Sequence, residues 1–73
     1  MFITFESNFP HPDRKVAEHD TFEEAFGALK ASPDCVFAEE DADNEGCADA
    51  FMIAGEVYCI EPADRCAHRF KGN

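Results

Sequence analysis

The chain has 73 residues, 16 of them Asp or Glu against six Lys or Arg, for a formal net charge of −10. That length makes one domain, residues 1–73. Such a domain buries only about 60% of its unfolded surface, which leaves little room for a deep pocket and tilts the function toward binding and away from catalysis. Hydrophobic residues are 45% of the chain, with eight Phe, and this excludes a disordered acidic tail.

The elements follow in chain order. Phe2 to Glu6 is rich in Phe, Ile and Thr and predicts a first strand. The two prolines of Asn8-Phe9-Pro10-His11-Pro12-Asp13 mark a loop, and Lys15 to His19 is a short second strand that can pair back on the first. Thr21-Phe22-Glu23-Glu24 is a capping box that opens the main helix, residues 21–31. Phe22, Ala25, Phe26 and Leu29 then form one apolar stripe, the acids sit at the positive end of the helix dipole, and Ser32-Pro33 ends the helix. Cys35 to Ala38 predicts a strand that runs into an acidic segment. Ala50 to Ile53 and Val57 to Ile60 predict two more strands, joined by a tight turn at Ala54-Gly55-Glu56. Pro62 suits the first position of a short C-terminal helix, with Ala63, Cys66, Ala67 and Phe70 on one side. The expected fold class is α+β: a small antiparallel sheet of four to five strands, one main helix packed on one face, and a short C-terminal helix. Phe37 and Phe51 are expected to lie against the main helix.

The charge is clustered. Glu39, Glu40, Asp41, Asp43, Glu45 and Asp49 fall in eleven residues with no Lys or Arg among them. In an extended conformation Asp41, Asp43 and Glu45 would point the same way at about 6.7 Å intervals, comparable to the phosphates of a nucleic-acid strand. A row of this kind can occupy a Lys/Arg groove shaped for a phosphate backbone. These six residues are the candidate partner-binding set. The plainer alternative is a solvated loop between two strands.

The same segment carries part of a calcium loop, with Asp41, Asp43, Glu45, Gly46 and Asp49 at matching positions. Met52, however, stands where the bidentate Glu belongs, and the flanks read as strands. Cys35, Cys47, Cys59 and Cys66 lack the close C-x-x-C pairing of a zinc knuckle. Cys35 and Cys59 read as core strand residues. Cys47 reads as exposed, its thiol pKa raised by acidic neighbours. His11, His19 and His68 are scattered. No nucleophile–base spacing, glycine-rich phosphate loop or basic patch is present, so neither an enzyme, a cofactor nor direct nucleic-acid binding is expected. No run approaches transmembrane length, and Met1 to Glu6 lacks the basic start of a signal peptide. The expectation is therefore a cytoplasmic protein, monomeric or a small homo-oligomer, with free thiols and no membrane partner.

The whole-chain charge, the order of the elements and the run Glu39-Glu40-Asp41-Ala42-Asp43-Asn44-Glu45 resemble those of small acidic phage-encoded inhibitors. These include anti-CRISPR proteins and the phage inhibitor of uracil-DNA glycosylase. The resemblance implies an acidic interaction protein that mimics nucleic acid, binds the basic surface of a nucleic-acid-handling protein or complex and inhibits it in the host cytoplasm. It carries no residue-level correspondence. Two other functions fit the sequence: a calcium- or metal-binding module using residues 41–49, and an adaptor that binds a protein partner through apolar surface.

Overall fold

A computed structural model describes residues 1–7 and 12–66, and for Cys66 the backbone only. Five strands form one antiparallel sheet: β1 (Phe2–Glu6), β2 (Arg14–His19), β3 (Cys35–Glu40), β4 (Ala48–Met52) and β5 (Val57–Pro62), in the spatial order β2-β1-β5-β4-β3. The helix α1 (Phe22–Ala31) lies on one face. The short helix α2 (Ala63–Cys66) follows β5, and its Ala63 packs with Ile3, Phe5 and Cys59 on the other face. The expected α+β fold is thus the observed one. Pro62 differs from expectation: it ends β5, paired with Phe2, and the helix begins after it. Its fixed φ suits a strand end as well as a helix start. Residues Phe9, His11, Ala67, His68 and Phe70, on which parts of the loop and C-terminal helix expectations rest, lie outside the described residues.

Local chemistry sets α1. Thr21 is extended at the N-cap, and its hydroxyl accepts the Glu24 N–H at 3.1 Å. Glu23 and Glu24 lie in the first turn and Lys30 in the last, as the helix dipole favours. The Ser32 N–H donates to the Leu29 carbonyl and closes the C-terminal end. Of the predicted stripe, Ala25 and Leu29 are buried. Phe22 and Phe26 are half-buried on the flank, stacked at 5.3 Å between centroids, and the Lys30 ammonium sits 4.6 Å above the Phe26 ring.

The core beneath α1 consists of Ala25, Leu29, Ala48, Ala50, Met52 and Ile60. Strand alternation directs Ala48, Ala50 and Met52 to the helix, and therefore Asp49 and Phe51 away from it. Phe37 pairs with Phe51 across β3 and β4 and shares its side. The expectation that these two rings lie against α1 is overturned. They stack on one another at 6.2 Å on the opposite face and remain 52% and 40% exposed. Small alanines under the helix let it approach closely, and two phenylalanines would hold it off. Val36 is the extra residue of a bulge between Cys35 and Phe37, and Val16 is its counterpart in β2. The turn between β4 and β5 uses Gly55 at φ +94°, with the Met52 N–H donating to the Glu56 carbonyl at 2.8 Å.

The burial pattern yields a direct test. Ile60→Ala is expected to destabilise by about 2–5 kcal/mol, because its side chain is fully buried under α1. Phe37→Ala is expected to cost about 1 kcal/mol or less, the scale of a half-exposed cross-strand pair. Urea denaturation of both variants checks the contrast, and equal losses would refute the assignment of faces.

Candidate functional site

The six acidic residues singled out from the sequence do not form one surface. Residues 41–46 fold into successive turns. The Asp41 carboxylate accepts the Asp43 N–H and the Asn44 side-chain amide, each at 2.9 Å. The Asp41 N–H donates to the Cys47 carbonyl, and the Cys47 N–H to that of Asn44. Asp41 is therefore the organiser of its own loop, and its pKa is lowered first by the Asn44 bond and then by the Asp43 N–H. The extended ladder of Asp41, Asp43 and Glu45 is not formed, because Asp and Asn side chains close Asx turns wherever the following N–H is free. The loop also has a counter-charge. Arg65 of α2 reaches Asn44 Oδ1 at 3.4 Å and Cys47 Sγ at 3.5 Å.

Strand alternation divides the rest. Glu39 and Asp49 face one another across β3 and β4 on the side that carries Phe37 and Phe51. Glu40 and Glu45 turn to the other side, where they meet two acids that the sequence reading did not single out. Asp20 and Glu23, with Thr21 and Phe22 at the start of α1, line a groove of about 590 Å³ together with Glu40, Glu45, Gly46, Phe2 and Pro62. Phe2 and Phe22 meet edge-on there at 5.9 Å. Among the described residues none of these four carboxylates makes an ion pair. The described salt bridges are Arg14–Glu6 and Lys15–Glu18, at the far edge of the sheet on β2.

An apolar aromatic floor ringed by carboxylates suits a Lys or Arg side chain. The stem lies along Phe2, Phe22 and Pro62, the ring faces attract the cation, and the head reaches the acids. The signal in sequence was the acid pair flanking Thr21 and Phe22. Its juxtaposition with Glu40 and Glu45 comes from the sheet order and is not encoded locally.

Gly46 shapes the groove. It sits at φ +82°, and a Cβ there would come within 3.0 Å of Cε2 of Phe2 and 3.4 Å of Cγ of Pro62. Gly46→Ala is expected to destabilise by about 1–3 kcal/mol through backbone strain and displacement of the Phe2 ring. Thermal melting measures the loss, and a chemical-shift change centred on Phe2 and Pro62 would locate it.

Among the described residues no group of three or more His, Cys, Asp or Glu side chains is placed to hold a metal ion. Cys35, Cys47 and Cys59 are free thiols. Cys47 is buried, contrary to expectation, because the turn folds it under Arg65. Its thiol pKa is raised chiefly by burial, which the Arg65 contact opposes. Cys59 is pushed up to about 12, first by burial, then by its hydrogen bond to Asp49 and the nearby negative charges. No family model, curated protein or solved structure matches the chain.

The raised Cys59 pKa has a pH consequence. The folded state holds this proton more tightly than the unfolded state, where the thiol titrates near 9.0. The associated stability is complete below pH 9 and is lost as pH rises toward 12. Chemical denaturation between pH 8 and 11 is expected to show falling stability, with a shallower decline in Cys59→Ala.

Proposed function

We propose that this protein is an acidic binding module that captures the basic surface of a nucleic-acid-handling protein and inhibits its nucleic-acid binding. The observation that carries this reading is the groove at the start of α1: four carboxylates, Asp20, Glu23, Glu40 and Glu45, around the apolar floor of Phe2, Phe22 and Pro62. The excess of acid supports it, since clustered like charge works against folding and gains its value from a cationic partner. Basic side chains that grip phosphates are the chemistry such a groove receives, and the long-range field of a −10 chain steers them toward it. Asp41 holds the loop that presents Glu45, while Glu39 and Asp49, on the opposite face, add only to the long-range field.

The apolar face supports a second reading, an adaptor docking through Phe37, Phe51 and Ile53. Ile53, one residue past the end of β4, is 75% exposed. The like-charged pair of Glu39 and Asp49 borders this patch, so a partner there would also be basic at its rim.

The test uses immobilised parent and an Asp20→Asn, Glu23→Gln, Glu40→Gln, Glu45→Gln variant in nuclease-treated host lysate at low salt. The parent is expected to retain nucleic-acid-binding proteins that excess DNA displaces and that rising salt releases steeply. The variant is expected to lose them while keeping its far-UV spectrum, since exposed charges contribute little to folding. Capture unchanged by the variant, by DNA and by salt, but abolished by Ile53→Lys, would replace the groove with the apolar face.

A further inference from the structure

The reverse face of the sheet is covered over one half and bare over the other. Over β1 and β5, Ala63 of α2 packs with Ile3, Phe5 and Cys59. Among the described residues α2 contacts β5 and β1 alone, and no helix lies over β3 and β4 on this side. Phe37 and Phe51 are exposed there. Domains of this class bury each apolar sheet face under a further layer, and this half lacks one.

The strand register arranges the bare half in two rows. Phe37 lies beside Phe51, and Phe51 beside Val57, which makes an apolar row across three strands. Two residues along, Glu39 lies beside Asp49. The rows are about 6.7 Å apart, twice the strand rise. Like charges directly opposite one another weaken a strand pair. Among the described residues neither carboxylate meets a cation: the described salt bridges lie at β2, and the Asp49 side chain pairs with the uncharged Cys59 thiol. A cation placed between Glu39 and Asp49 removes that repulsion.

Charge and backbone narrow the occupant. A second copy of the chain brings the same acidic row and another net charge of −10, so self-pairing is opposed. An added strand at the β3 edge meets the bulge at Val36. A helix laid along the strands suits the rows, because residues four apart on one side of it recur at about 6 Å. β3 has six residues, about 20 Å, a length that about 13 helical residues span.

We infer that the bare half of the reverse face binds a basic amphipathic helix of a partner protein. Aliphatic side chains of that helix rest on Phe37, Phe51 and Val57, and an arginine one turn further along forks between Glu39 and Asp49. The inference rests on the apolar-face reading given above and adds the shape of the partner and the position of its charge. The acidic groove, on the other face, plays no part in it.

The experiment titrates isotope-labelled full chain with Ala/Gln-based helical peptides of about 18 residues, long enough to hold a helix. The first carries two leucines a turn apart and an arginine one turn further on the same side. The second has glutamine for that arginine. The third has the arginine on the opposite side, which controls for attraction of any cation to an acidic chain. The first is expected to give saturable amide shifts at Phe37, Glu39, Asp49, Phe51 and Val57. The other two should bind about three- to tenfold more weakly, the scale of one charge-assisted contact at a partly exposed site. A Glu39→Gln, Asp49→Asn variant is expected to bind the first and second peptides alike, and Phe37→Ala to bind both more weakly than the parent does. The quadruple groove variant is expected to bind the first peptide like the parent.

Equal affinity for the three peptides, with shifts on this face, would overturn the basic helix and leave an apolar adaptor standing. Shifts confined to the groove and lost in the quadruple variant would overturn the inference and leave the groove reading intact. Shifts at Phe37 and Phe51 on dilution of the chain alone would give the face to a second copy and overturn it. So would the absence of saturable shifts on this face up to millimolar peptide. Failure of the apolar-face reading itself is read separately, from lysate capture that survives Ile53→Lys.

Discussion

Ala25 and Leu29 of α1 press onto Ile60, Ala48, Ala50 and Met52, and the placement of the other side chains follows from that contact. The layer is thin because three of its six members are alanine. Thin packing brings the helix close to the sheet and saves conformational entropy, since alanine has no side-chain freedom to lose. It also leaves no room for large rings at its centre. The rings are accordingly displaced to its borders or to the reverse face, where Phe5 is buried beside Ile3. Phe22 and Phe26 lie along the helix flank, Phe2 sits at the head of β1, and Phe37 and Phe51 occupy the reverse face. Both candidate docking surfaces are made from these displaced rings.

The same layer explains how so acidic a chain folds. Carboxylates occur on the reverse face of the sheet at Glu39 and Asp49, at the strand ends at Glu6 and Glu40, in the first turn of α1, and in a loop whose own amides satisfy Asp41. Each of those placements either costs little or is favoured by the helix dipole. The described cations are used locally: Arg14 on Glu6, Lys15 on Glu18, Lys30 on the Phe26 ring, and Arg65 at the Asn44–Cys47 turn. The negative field at the start of α1 is left uncompensated by them.

How much of this could be read from the residues depended on range. The helix was legible because its signals are local: the Thr21 cap, the stripe of Phe22, Ala25, Phe26 and Leu29, and the Ser32-Pro33 stop. The strands and the Gly55 turn were legible for the same reason. The sides of Phe37 and Phe51 were not, because both faces of β4 carry apolar residues and the extra residue at Val36 shifts the parity of β3. Nor was the conformation of residues 41–46, where acid alternation suggested an extended run and the Asx turn of Asp41 prevailed. The groove required the sheet order, which brings Glu40 and Glu45 beside Asp20 and Glu23 from distant parts of the chain. Cys47 was misplaced because burial under Arg65 is likewise a tertiary event.

The two valine bulges bear on how the molecule behaves in company. β2 and β3 are the outer strands of the sheet, and each is interrupted, at Val16 and at Val36. An uninterrupted outer strand offers a regular row of free N–H and C=O groups on which another chain can template, the first step toward fibres. A bulge breaks the repeat and increases the local twist, so an incoming strand finds mismatched partners after a few residues. In acid the carboxylates are neutralised and repulsion between copies fades, but this geometric safeguard remains. Resistance to lateral growth in this protein is therefore built into the backbone as well as carried by its charge.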